Sequence, residues 1–306
     1  MFGGPLYRIP THMFRTVTYR TAASCVTLYN HHIACRVLRF NPLRRCREGK
    51  PCSSQTPPRS HLHRSGVTSM ADSTVAYSSG NRLVDVLMAN GLPDLKDDIT
   101  IFRLKAHQST NSIGKTMHHV DFPIDAVLSV VATLKNGDTV EVGTTGNESF
   151  VQSEAALESA LSPRTSFCQV QGRVGRMDIK RFDEYMKTSD IFGRFMRKNL
   201  SAVLFSSQQF TVCNIKHSVI ERCARWLAMT ADRVGKPHFT LAHEFLAIML
   251  GVRAVSVTEA ADKLHEMGAI TYCRGAVTIV DGDILKRSSC ECYEASKAAF
   301  DVSLLC

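Results

Sequence analysis

Apolar residues recur at helical spacing in only parts of the chain, and the places where that period fails divide it into segments. Residues 81–92, NRLVDVLMANGL, put Leu83, Val84, Val86, Leu87 and Leu92 on one side of a short amphipathic helix. Beyond it the pattern shortens. DITIFRLKAH (98–107), HHVDFPIDAVLSVVATL (118–134), DTVEVGTTG (138–146) and TSFCQVQGRVGRMDI (165–179) are brief, rich in Val, Ile, Phe and Thr, and separated by turn residues. Asn136-Gly137 stands between two such runs and predicts a hairpin, because both residues tolerate positive φ. Several short strands with glycine-containing turns predict a small all-β barrel or jelly roll over 80–190.

From Ile179 to about Ala231 the pattern is helical, in more than one piece. FDEYMKTSD is a short amphipathic stretch, and after it Phe192, Phe195, Met196, Leu200, Val203, Leu204 and Phe210 fall largely on one face. A stripe this long between two domains needs a partner. Packing on the chain's own barrel is one answer. A pair of these helices across a two-fold axis is the other, and it is the one favoured here, with a dimerisation helix over 191–213 and Phe195, Leu200, Val203 and Leu204 as its contacts. HSVIERCARWLAMTADRVG (217–235) is a further amphipathic helix, ended by Gly235-Lys236-Pro237.

The segment 240–282 carries the most specific pattern. Thr240 is placed to cap a helix running to Leu250, Gly251 breaks it, and a second helix runs from about Ala254 to Met267 with Gly268 at its end. Ala247, Gly251 and Val257 supply the small residue, the turn glycine and the compact apolar residue that two closely crossing helices need, which is the helix-turn-helix arrangement. AITYCRG and AVTIVDG then form two strands of a wing around Arg274-Gly275. The expected fold class is therefore α+β: a jelly-roll sensor barrel, a long dimerisation helix and a winged helix-turn-helix over 214–290, followed by a tail over 291–306.

Charge changes one part of this picture. The chain of 306 residues has a formal net charge of +9, but residues 1–69 alone hold eleven Lys/Arg against the single acid Glu48, so the remainder is close to neutral. A basic pI is thus no argument for nucleic-acid binding by the folded part. The leader reads in three ways: a basic nucleic-acid-binding arm, an Arg-rich targeting segment, or an upstream start with Met70 as the first residue. Its cysteines, Cys25, Cys35, Cys46 and Cys52, lack the CxxC pairs of a zinc knuckle. No apolar run of eighteen or more residues is present, so no membrane span is expected.

HHVDFPIDAVLSVVATLKNGDTVEVG, CNIKHSVIERCARWLAMTADRVG and LAHEFLAIMLGVRAVSVTEAADKLHEMGAITYCRGAVTIVD together resemble the Crp/Fnr family of bacterial transcription regulators, over roughly residues 80–293. The late Cys290-Glu291-Cys292-Tyr293 resembles an ending common in one branch of that family. The resemblance implies a cytoplasmic homodimer that binds a pseudo-palindromic operator in double-stranded DNA, acts on RNA polymerase and answers to a small-molecule effector. The family frequently has a basic residue at the position of Ala254, and its best-known members place Arg-Glu at Ala254-Val255 and an arginine at Glu259. Arginine reads guanine through a bidentate fork that alanine cannot reproduce. The DNA contacts expected here are Arg253, Ser256, Thr258 and Lys263, with His243 and Arg274 adding backbone contacts from the first helix and the wing.

For the effector, Glu148 and the Arg164-Thr165 pair are the residues that would meet a ribose hydroxyl and a phosphate, although they lie further apart in sequence than in cyclic-nucleotide-binding members and both fit ordinary solvated turns. An iron–sulfur cluster is not expected, since no cysteine lies between Met70 and Phe167, and His107, His118 and His119 do not by themselves make a haem site. Cys290 and Cys292 read as a lone CxC, with no metal assigned. No nucleophile–base pair of diagnostic spacing points to an enzyme. The alternative reading is a ligand sensor or protein-interaction module whose recognition helix no longer reads DNA.

Overall fold

The computed structural model describes residues 78–273 and 275–305. The expectations for the leader, its four cysteines and Arg274 lie outside these residues. Asn81 accepts at its side-chain oxygen from the backbone N–H groups of Leu83 and Val84 and so caps helix α1 (Arg82–Ala89). The Asn81 amide donates in turn to Pro123 O (2.7 Å) and Ser149 O (2.9 Å), which fixes the helix start to two barrel loops. The helix ends before Leu92, at Asn90 and a Gly91 with φ of 109°.

The expected barrel is two antiparallel sheets. One has the order β1 (Thr100–Leu104), β7 (Gly172–Asp178), β3 (His119–Pro123); the other has the order β2 (Ser109–Asn111), β6 (Thr165–Val170), β4 (Val127–Thr133), β5 (Thr139–Thr145). The hairpin forms where Asn136-Gly137 predicts it: Thr133 pairs with Thr139, and Gly137, at φ 91°, donates to Leu134 O. Leu104, Ala126, Leu128, Val151, Cys168 and Val174 form a buried cluster of the barrel. A second core joins it to the helices through a chain of rings, Phe122–Phe150–Phe182–Phe192, with centroids 5.3–5.9 Å apart.

Two helices leave the barrel. Asp178 caps α2 (Ile179–Thr188), and Ser189 caps α3 (Asp190–Lys216), a helix of 27 residues. Helix α4 (Val219–Val234) opens with a reciprocal capping box between Ser218 and Glu221 and closes on Gly235 at φ 67°. Thr240 does not cap the next helix: it ends strand β8 (His238–Thr240), and α5 (His243–Leu250) begins after Ala242 with no side-chain cap. Gly251 adopts φ 62° and α6 (Ala254–Glu266) follows. The wing has one strand more than expected, with β8 and β9 (Ile270–Cys273) flanking β10 (Ala276–Ile279). Two further helices, α7 (Gly282–Arg287) and α8 (Cys292–Ser303), complete the fold, so the segment read as a tail supplies a helix.

Ala247 and Val257 are buried at the α5–α6 crossing, as their sizes predict. The core around them, with Trp226, Leu227, Leu246, Met249 and Leu264, runs without interruption into Val127, Val131 and Val170 of the barrel. Among the described residues no helix is long and apolar enough to cross a membrane.

Candidate nucleic-acid interface and signal pocket

Helix α6 buries Val257, Ala260, Ala261 and Leu264 and turns Ala254, Val255, Thr258, Glu259, Asp262 and Lys263 outward. Arg253, at its N-cap, is exposed and makes no capping bond. Of the expected DNA contacts, Arg253, Thr258 and Lys263 are therefore on the open surface, while Ser256 is half-buried. His243 is not a free surface group. Its ring stacks on Tyr272 of the wing at 3.9 Å, and its Nδ1 lies 3.2 Å from Thr258 Oγ1. Tyr272 in turn donates to Leu241 O, so this set locks the start of α5, the middle of α6 and the wing into one surface.

The expected effector residues do not converge. Glu148 is buried and its Oε1 accepts from Arg233 of α4 at both Nε (2.8 Å) and Nη2 (2.7 Å), with Gly146 N at 3.3 Å. These contacts occupy one carboxylate oxygen, Oε1, and tie Glu148 to α4. Arg233 also donates to Thr144, and it presses so closely on Gly146 that a Cβ there would collide with the arginine side chain. Arg164 is exposed and donates to Pro163 O, and Thr165 accepts from Ile113 N. Glu148 and Arg164 border two different cavities, each of about 280 Å³. The first lies by Arg82, Asp232, Arg233 and Tyr293. The second lies between the β4–β5 hairpin and α3, lined by Val130, Val142, Gln152, Arg164, Ser207 and Phe300 among others. Sequence reasoning missed the pairing partner because Arg233 lies 85 residues beyond Glu148, on an element that gives no sign of facing it.

A second acid, not singled out from the sequence, lies where the barrel meets the winged domain. Glu141 of β5 is buried, accepts from Trp226 Nε1 at 3.2 Å, and has its Oε2 2.7 Å from Ser129 Oγ. Ser129 Oγ is also 2.6 Å from Gln169 Oε1, and one hydroxyl proton cannot serve both acceptors. Gln169 Nε2 is buried without a partner, so turning that amide about lets Nε2 donate to Ser129 and leaves the hydroxyl proton for Glu141. Burial pushes the Glu141 carboxyl up to about 7, against the smaller opposing effects of Ser129, Arg225, Trp226 and Arg233.

Of the residues expected to form a dimer stripe, only Leu204 is fully on the surface. Phe195 is fully buried among the chain's own residues, beside Phe192 and Met196, so it cannot meet a second copy. Leu200 and Val203 are half-buried. Helix α8 runs antiparallel along one side of α3, with Gln209 donating to Cys292 Sγ and Asn199 to Ser303 Oγ. On another side Leu204, Phe205, Val212 and Ile215 remain exposed, with Ile215 at 73%.

Nor are Cys290 and Cys292 isolated. The last turn of α3 delivers Cys213 and His217 beside them, and the four donor atoms all lie within 4.8 Å of one another. The signal available in the sequence is Cys-x₃-His at the end of a long helix, which puts both side chains on one face.

Residues 221–288 match the family described as the Crp-like helix-turn-helix domain. No curated protein matches the sequence. Among solved structures, TTHB099, a CRP-family transcriptional regulator from Thermus thermophilus, aligns with a TM-score of 0.52 at 18% identity over 61% of this chain and 96% of its own. FixK2 from Bradyrhizobium japonicum aligns with a TM-score of 0.53 at 11% identity over 63% of this chain and 98% of its own. Barrel, long helix and winged domain thus recur in one order in all three chains, and residues 221–288 are a Crp-like helix-turn-helix domain carried on the fold of the Crp/Fnr regulators.

Proposed function

We propose that the protein is a transcription regulator that binds duplex DNA as a homodimer, with α6 in the major groove and a signal received at the barrel. The observation that carries this reading is the outward face of α6, which the rest of the described chain leaves open within a domain of the Crp-like helix-turn-helix type. Arg253 and Lys263 supply the cationic contacts, and Thr258, held by His243, presents a hydroxyl whose orientation is set before DNA arrives. Leu204, Phe205, Val212 and Ile215 form the face that a second α3 covers, which would set two recognition helices one helical turn of DNA apart. RNA polymerase is the downstream partner this reading entails.

For the effector, the cavity beneath Arg164 is preferred to the expected site at Glu148, because the two residues border different cavities and Arg233 holds one Glu148 oxygen. A small ligand with an anionic or polar group fits its lining of Thr144, Gln152, Arg164 and Ser207. Cyclic nucleotide is a poorer fit than the sequence alone indicates.

A second reading rests on the charge of α6, where Glu259, Asp262 and Glu266 oppose Arg253 and Lys263. In it the surface binds a protein instead of DNA. Selection from a random duplex library with the full chain, with and without cell extract as a source of effector, separates the two. Recovery of a two-fold-related motif with half-sites about 10 base pairs apart supports the regulator. No enrichment with folded, dimeric protein under either condition sinks it.

A further inference from the structure

The four donors at the end of α3 have the geometry of a closed metal site. Cys213 Sγ is 3.5 Å from Cys290 Sγ, too far for a bond and close to the separation of about 3.8 Å that two thiolates adopt on one tetrahedral zinc. Cys292 Sγ is 3.5 Å from His217 Nδ1. Cys213, Cys290 and Cys292 are buried and His217 is half-buried, so the set encloses its centre. Cys213 comes from the last turn of α3, His217 is its C-cap residue, Cys290 lies just before α8, and Cys292 is the first residue of α8.

The surroundings point to the same use. Glu291, between the two late cysteines, places a carboxylate oxygen 3.2 Å from His217 Nε2. That contact holds the Nε2 proton and leaves Nδ1 unprotonated towards the sulfurs, which is the carboxylate–histidine–metal arrangement. Gln209 donates to Cys292 Sγ at 3.1 Å, as an amide does to a bound thiolate. Arg222 and Arg225 are both buried, and neither has a carboxylate in hydrogen-bonding contact among the described residues. Arg225 is stacked on Phe210 at 4.2 Å and acts electrostatically on Cys213. Arg225 also acts on Glu141, whereas Arg222 has only Cys213, Cys290 and the like charge of Arg225 acting on it, and a buried cation is costly unless negative charge is near. A divalent ion with three thiolates supplies one net negative charge.

We propose that Cys213, His217, Cys290 and Cys292 bind one zinc ion, which ties the end of the long helix to the start of α8. Binding releases the protons of the three thiols and takes the histidine through a deprotonated Nδ1. All-sulfur and nitrogen donors in a tetrahedron select zinc over the hard cations. A multi-iron cluster is a poor fit, because its thiolates sit on different metal atoms and need donors spread more widely than 4.8 Å. The ion sits at the α3–α4 joint, where the proposed dimer helix hands over to the winged domain. It therefore fixes the direction in which that domain leaves the helix. The site is independent of whether α6 reads DNA.

The test is metal analysis of the full chain, purified under reducing conditions, followed by removal of metal and titration with Co²⁺ and then Zn²⁺ against a chromogenic chelator. One zinc per chain is expected, with a Co²⁺ adduct that shows thiolate charge-transfer bands and the intense visible bands of a tetrahedral ion, both erased by stoichiometric zinc. Cys290→Ser/Cys292→Ser should lose the adduct. Glu291→Gln keeps every donor and should weaken zinc by about 10- to 100-fold, an effect that a merely structural residue would not produce. If the double variant fails to fold, the wild-type spectrum and the Glu291→Gln titration decide. Folded, reduced protein that binds neither ion, iron recovered with inorganic sulfide, or a Cys213–Cys290 disulfide trapped by alkylation at lysis would each overturn the proposal.

Discussion

Glu141 carries its carboxyl to Trp226 across the junction of barrel and winged domain, and burial raises it to about 7 from an ordinary 4.5. A group whose folded value is raised stabilises the fold fully below its unfolded value and loses that contribution as pH climbs through the folded one. The window is thus about 4.5 to 7, and the shift corresponds to roughly 3 kcal/mol at most. Urea unfolding of the wild type should show stability falling from pH 5 to pH 8, and Glu141→Gln, which keeps an acceptor for Trp226, should flatten that dependence. An unchanged slope in the variant would exclude Glu141 as its origin. Glu148 and Arg233 form a buried ion pair that needs both partners. Arg233→Met leaves an uncompensated carboxyl and should cost about 3–5 kcal/mol near neutral pH. Glu148→Gln/Arg233→Met should recover most of that loss, and chemical denaturation of the single and double variants checks both statements.

At the level of elements, α3 separates what was legible from what was not. Its existence and apolar character follow from the spacing of Phe192, Phe195, Met196 and Phe210, although the expected span of 191–213 stops short of Lys216. Its outward face does not, because a helix apolar on several sides gives no sign of which side a later segment covers. Helix α8, 292–303, takes one of those sides, and the aromatic core around Phe182 takes another, which removes Phe195 from the surface and leaves Leu204 and Ile215 on it. The same limit hid the pairing of Glu148 with Arg233 and the gathering of Cys213 with Cys290. Local chemistry fared better: the Asn136-Gly137 hairpin, the Gly251 turn and the Gly268 terminus each need positive φ, and each has it. Thr240 was misplaced because a strand outcompeted a cap, pairing with Ala276 in the wing. The two kinds of apolar residue on α3 respond differently to change. Ile215→Glu should leave unfolding stability within about 0.5 kcal/mol and convert a dimer to monomers in sedimentation velocity. Phe195→Ala should cost about 3–5 kcal/mol and leave association of the folded fraction unchanged. Monomeric wild type would remove the dimer face altogether.

Across the whole molecule, barrel and winged domain share one buried core. Val127, Val131 and Val170 of the barrel belong to the same cluster as Trp226, Leu246, Met249 and Leu250, and Gly251 of the helix-turn-helix lies against Val140 of β5. In the proposed regulator this continuity would carry a signal, because the β4–β5 hairpin that makes these contacts also borders the cavity beneath Arg164. Val130 and Val142 line that cavity, while their neighbours Val131 and Glu141 meet the winged domain. A ligand that moves the hairpin must therefore move Trp226, and interdigitated cores shift between discrete arrangements more readily than they deform. The same continuity predicts how the protein unfolds. Domains with separate cores would melt in separate steps, whereas one core requires barrel and winged domain to melt together. Trp226 is the only tryptophan in the chain, so its fluorescence reports the junction alone, while far-UV circular dichroism reports all elements. The two signals should trace coincident urea transitions. A fluorescence change that precedes the loss of ellipticity would mean that the domains part before either unfolds, and that the junction is a hinge instead of a core.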